Sequence, residues 1–136
     1  MQVIVYKPSN SERSASWARQ VCRWAHPFKA SLCVTPVELT GMLDALGDGR
    51  YENLLVLLAE ERQHLRGIEA MRNVLAERHC IVVLPDFGEE SLAIGHRLYP
   101  RFVTTFDAPP EQMGAVVMRI VQRLLADAPK WGTAAG

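Results

Sequence analysis

The chain has 136 residues, 49% of them hydrophobic, with 15 Lys plus Arg balanced by 15 Asp plus Glu. That length holds one domain of ordinary size, and so large an apolar share excludes a disordered or collagen-like chain. A formal net charge of zero argues against a protein whose main work is to coat nucleic acid, and no apolar run approaches the roughly 20 residues that span a bilayer.

Val3-Ile4-Val5-Tyr6 predicts a short buried strand at the N-terminus. Ser9, with Glu12 three residues on, reads as a capping box that opens a first helix. Along it Trp17, Ala18, Val21, Cys22, Trp24 and Ala25 recur at helical spacing up to Pro27. Ala30 to Val34 predicts a second strand. Thr35-Pro36 opens a second helix, with proline where a missing N–H costs nothing. Val37, Leu39, Leu43 and Leu46 line that helix, and Gly47-Asp48-Gly49 ends it. Leu54-Leu55-Val56-Leu57-Leu58 has no polar alternation, as expected of a central strand covered on both faces. A helix from about Gln63 to Glu77 follows, then a second doubly buried strand, Cys80 to Leu84, closed by Pro85-Asp86. Glu89 to Leu98 predicts a short helix interrupted by Gly95. Phe102 to Thr105 predicts a fifth strand, and Pro109 to Ala126 a final amphipathic helix.

Five strands alternating with five helices predict an α/β fold, a flavodoxin-like (βα)5 three-layer sandwich with a parallel sheet in the order 2-1-3-4-5. Residues 1–127 form the domain and 128–136 a C-terminal tail. Ligands and reactive groups in such a sheet gather at the carboxyl ends of the strands, here the loops after Tyr6, Val34, Leu58, Leu84 and Thr105.

Leu54-Leu55-Val56-Leu57-Leu58 followed by Gly67-Ile68-Glu69-Ala70-Met71-Arg72 resembles the middle of a receiver domain of two-component response regulators. In that family the third strand ends in a phosphorylatable Asp, and eight residues later a Gly begins a G-[LI]-E-x-[LM]-R helix start. Laid on that pattern, the acceptor position is Ala59, which has no oxygen to phosphorylate. The acidic pair that binds magnesium is replaced by Tyr6 and Lys7. A phenol and an ammonium cannot stand in for carboxylate oxygens on a hard cation. The hydroxyl residue after the fourth strand maps to Pro85, and the lysine after the fifth falls near Phe106 or Asp107. The resemblance therefore implies a degenerate pseudo-receiver that keeps the scaffold and has lost the aspartyl phosphate cycle of the phosphorelay.

Other groups at the strand ends carry weaker signals. Glu60, Glu61, Asp86, Glu89, Glu90 and Asp107 could form an acidic pocket, but acids also favour helix N-termini, where they complement the macrodipole. That second reading is preferred. The Ser9 to Ser14 loop stands where a flavodoxin cradles a flavin phosphate, yet it lacks a glycine for close backbone approach. Neither G-x-x-x-x-G-K-[ST], nor G-x-G-x-x-G, nor G-x-S-x-G occurs, so enzyme activity is not expected. Cys22, Cys33 and Cys80 have apolar neighbours and no ligand spacing, which predicts reduced thiols in the core. His26, His64, His79 and His96 lack metal-ligand spacing and are expected at the surface or in loops; no metal and no cofactor is expected.

Trp17 and Trp24 are expected to support the sheet. On the last helix Met113, Val116, Val117, Ile120, Val121 and Leu124 suffice to cover it, while Met118 and Leu125 widen the apolar arc beyond what a core-facing helix needs. That surplus predicts either a contact surface or shielding by the Pro129-Lys130-Trp131 tail. Receivers commonly pair through their last strand and helices, so the resemblance implies the same surface. The expected function is a non-phosphorylatable signalling module acting by protein–protein interaction, with a kinase, output domain or motility component as partner, or as a homodimer through the last helix. The alternative is a flavodoxin-like domain binding a flavin or nucleotide. MQVIVYKPS does not resemble a signal peptide, so a cytoplasmic location is expected, with no nucleic-acid or membrane partner.

Overall fold

The two unbroken apolar runs of the sequence become adjacent strands in the middle of a five-stranded parallel sheet. The computed structural model describes residues 2–26, 28–46, 53–76 and 78–127. β1 (Gln2–Tyr6), β2 (Lys29–Cys33), β3 (Asn53–Leu58), β4 (Cys80–Leu84) and β5 (Phe102–Thr105) lie in the order β2-β1-β3-β4-β5. Every residue of β3 and β4 is buried, because helices cover both faces. The fold is the expected flavodoxin-like α/β sandwich.

Side chains alternate between the two faces with the strand period of two. Val3, Val5, Leu54, Val56, Leu58, Ile81 and Val83 pack against Trp17 and Val21 of α1 (Glu12–Ala25) and Val117, Val121 and Leu124 of α6 (Met113–Asp127). Ile4, Tyr6, Leu55, Leu57, Val82 and Leu84 face the other layer. That layer is formed by α2 (Pro36–Leu46), α3 (Arg62–Ala70), α4 (Arg72–Leu75) and α5 (Glu89–Arg97), which contribute Leu39, Leu43, Leu65, Ile68, Leu75 and Ile94.

Several local expectations change. α1 is capped by Ser11 rather than Ser9: the Ser11 hydroxyl accepts from Ser14 N at 3.1 Å. Thr35 does the same for α2, accepting from Glu38 N at 3.1 Å. The predicted third helix is two, because Met71 leaves helical geometry (φ −95°, ψ 9°) between α3 and α4. Gly95 does not interrupt α5. A Cβ there would stand 3.2 Å from Leu84 Cδ2, so the glycine lets the helix lie close on β4. The last helix begins at Met113, preceded by a 3₁₀ turn over Pro110–Gln112. Cys33 and Cys80 are buried as expected, but Cys22 is exposed. It follows Val21 by one residue, a rotation of roughly 100° around the helix, which carries it off the core face. Trp17 is buried and Trp24 half-buried, consistent with support of the sheet. Pro27, Gly47-Asp48-Gly49, Glu77 and the tail 128–136 lie outside the described residues.

Candidate functional site

The register carries the ends of four neighbouring strands to one edge of the sheet: Tyr6 pairs with Leu57, Leu58 with Val83, and Leu84 with Thr105. Tyr6, Lys7, Ala59, Pro85 and Phe106 therefore stand at or next to that edge. None offers a phosphorylatable or metal-binding carboxylate. Ala59 is fully buried, and its N–H extends the β3–β4 ladder to Val83 O at 2.9 Å. The Tyr6 phenol is buried, and burial first, then the Cys33 charge, pushes its pKa up, away from any anionic role. Lys7 turns back on its own loop, Nζ donating to Ser9 O at 3.0 Å. Pro85 follows β4 half-buried. Phe106 is buried edge-on against Trp17, with ring centroids 5.8 Å apart, and the Arg13 guanidinium lies 5.3 Å from its centre.

Several polar groups at this edge satisfy one another. Glu60, the residue after Ala59, accepts from Ser11 Oγ at 2.5 Å and from Ser9 Oγ at 2.8 Å. Ser9 Oγ also accepts from Ser11 N at 3.1 Å. This clasp ties the β1–α1 loop to the β3–α3 loop across 49 to 51 residues of chain. Burial alone would raise the Glu60 pKa. The hydrogen bonds from Ser11 and Ser9, with the positive charge of Arg13, outweigh it and hold the carboxyl below its ordinary value. An anionic phosphate arriving at the Ser9 to Ser14 loop would meet this carboxylate, and the Ser9 and Ser11 hydroxyls already donate to it, while the Ser14 hydroxyl is buried.

The preferred reading of the acids as helix-start residues holds for Glu61, Glu89 and Glu90 by position. Glu61 caps α3, and its N–H donates to His64 Nδ1 at 3.2 Å. Glu60 has the different role described above. Sequence reasoning had a usable signal for it: β1 and β3 are neighbours in this topology, so serines just after β1 and a glutamate just after β3 must fall side by side. Asp86 and Glu90 share Arg62, at 3.2 and 3.4 Å, and Glu90 also binds Arg66 at 2.7 Å. The Arg62 hydrogen bond, helped by the Gly88 N–H, holds Asp86 below the usual carboxylate range, and Arg66 does so for Glu90. Asp107 pairs with Arg13 at 2.8 Å. Among the described residues no group of three His, Cys, Asp or Glu is arranged to hold a metal ion.

On α6, Met113, Val117, Val121 and Leu124 are buried, and Val116 and Ile120 are partly so. Met118 and Leu125 remain exposed among the described residues. No helix among those residues is long and apolar enough to cross a membrane.

The fold belongs to the flavodoxin-like α/β class, which is compatible with a receiver domain. No family model matches the chain, and no curated protein matches it. A crystal structure of a protein from Burkholderia pseudomallei K96243, provisionally described as pilus assembly-related, is similar in fold. Its TM-score is 0.63 at 20% identity, over 90% of each chain.

Proposed function

We propose that the chain is a receiver-like signalling module that cannot be phosphorylated and performs no enzymatic reaction. It acts in the cytoplasm through protein–protein contact. Its partner belongs to the class of signalling kinases, output domains or motility components, and its last helix supplies a surface for self-association. The observation that carries this reading is Ala59, fully buried at the tip of β3 with Tyr6 and Lys7 beside it. Phosphoryl transfer needs a carboxylate nucleophile, a metal to neutralise charge and a cation opposite the developing negative oxygens. Glu60, Asp86, Glu90 and Asp107 at this edge are committed instead to serines and arginines. The pilus assembly-related description of the structural neighbour is compatible with a module whose work is contact with other proteins.

The test is incubation with acetyl phosphate and magnesium, and separately with beryllium trifluoride. Intact mass, tryptophan fluorescence and amide resonances should all stay unchanged. An acid-stable, base-labile phosphoryl group on any carboxylate, Asp86 and Asp107 included, would overturn the proposal.

A further inference from the structure

Met118 and Leu125 stand with 37% and 46% of their surfaces open, although Met113, Val117, Val121 and Leu124 already fill the sheet side of α6. Helical rotation sets Val121, Gly114, Leu125 and Met118, in that order, within an arc of about 60°. The half-buried Trp24 indole lies against Gly114, since a Cβ there would stand 2.8 Å from Trp24 Nε1. One apolar stripe therefore runs along the α1–α6 seam, with Trp24 at its head, Met118 and Leu125 along it and buried Val121 beside them. Met118 and Leu125 are about 10 Å apart along the helix axis, a separation that one indole can bridge.

Chain length says what can cover the stripe. After Asp127, where α6 ends, the sequence continues Ala128-Pro129-Lys130-Trp131, and Trp131 is the one large apolar residue in 128–136. Proline cannot continue the helix, so a chain that passes through Pro129 is free to turn back. Four residues reach at most about 14 Å. Along the axis Leu125 lies about 3 Å and Met118 about 14 Å back from Asp127, so the Trp131 ring can reach both. A tether this short holds the ring at an effective concentration of millimolar order, whereas a second copy or a separate partner must arrive from solution. Tryptophan also brings the largest apolar payload of any side chain, with few rotatable bonds to immobilise.

We infer that Trp131 of the same chain docks on the stripe between Met118 and Leu125, so that the C-terminal tail covers the outer side of its own last helix. The docking itself stands apart from the self-association reading above. Its consequence for that surface rests on it: tail and second copy compete for the same side chains, and self-association through the last helix requires Trp131 to leave. The contact is thus an autoinhibitory cap, set by the tether and released by whatever binds the tail or outcompetes the ring.

The experiment is fluorine NMR on the full chain labelled with 5-fluorotryptophan, with Trp131→Ser identifying the Trp131 signal by its loss. A soluble gadolinium chelate reads the exposure of each ring. In wild type the Trp131 signal should broaden several-fold less than that of free fluorotryptophan, and dilution should not change this, because the contact lies within one chain. Met118→Glu and Leu125→Glu should each restore broadening to nearly the free value. Both positions are exposed, and circular dichroism confirms that the variants fold. A wild-type Trp131 as accessible as the free amino acid overturns the inference, as does protection that survives both substitutions or vanishes on dilution. Sedimentation velocity on Trp131→Ser then reads the uncovered surface, which should associate several-fold more tightly than wild type. If Trp131 is protected and released as described while Trp131→Ser stays monomeric at every concentration, the docking stands and the self-association reading falls.

Discussion

Replacing Ser11 with alanine removes two interactions through one oxygen. The hydroxyl caps α1 by accepting from Ser14 N, and it donates to Glu60 Oε1. Loss of a serine cap costs about 1 kcal/mol. A hydrogen bond to a charged acceptor contributes more than a neutral one, but this site is half-buried and water can replace part of it, leaving about 0.5–1 kcal/mol. The expected loss is therefore about 1.5–2 kcal/mol at neutral pH, or about 5–7 °C in Tm at this chain length. Urea melts across pH separate the two parts. The Glu60 carboxyl is held below its ordinary value of 4.5, so the clasp contributes fully above that pH and is lost as pH falls through the lower folded value. The gap between wild type and Ser11→Ala should narrow below pH 4.5 to the share of the cap. Ser9→Ala removes one Glu60 bond and the bond its hydroxyl accepts from Ser11 N, but no cap from α1, so it should cost less, and only the Glu60 share of its effect should disappear in the same acid range. A Ser11→Ala variant as stable as wild type, or a gap that ignores acid, refutes the clasp.

Two further predictions follow from packing. Burial pushes the Cys33 thiol up to about 11 and the Cys80 thiol to about 12, whereas Cys22 is exposed. A thiol reagent at pH 8 should modify one cysteine per native chain quickly and the other two only on unfolding; rapid modification of all three would contradict the described core. Gly114→Ala improves helix propensity by about 1 kcal/mol, but its methyl would stand 2.8 Å from Trp24 Nε1 and 3.0 Å from Cδ1 and Cε2. The variant should lose about 1–2 kcal/mol net in a denaturant melt, with a shifted tryptophan emission, and a gain in stability would show that α1 and α6 do not meet there.

The middle of the sheet was legible because its central strands advertised their own burial. Leu54 to Leu58 and Cys80 to Leu84 carry no polar alternation, and only a doubly covered position in a parallel sheet accommodates that. The order of strands then followed from connection rules rather than from any residue. What the sequence hid are outcomes decided by neighbours distant in the chain. Ser9 and Ser11 are equally good caps by type. Both meet Glu60, but only Ser11 also satisfies α1. Gly95 looks like a helix breaker in a one-dimensional reading, yet its missing side chain is the space that Leu84 fills. The break at Met71 has no proline or glycine to announce it. Met71 itself packs into the core below α3. At the candidate site the lack of a carboxylate at Tyr6, Lys7, Ala59, Pro85 and Phe106 could be read directly from the sequence. The partners that the nearby acids choose could be read only in part.

The Ser9–Glu60–Ser11 clasp also bears on how such a protein could be governed. Domains that relay a message by changing shape depend on strand-end loops free to trade one set of partners for another. Here two of those loops hold each other through the chain's own side chains, so whatever would free one must first offer Glu60 a better partner than Ser9 and Ser11.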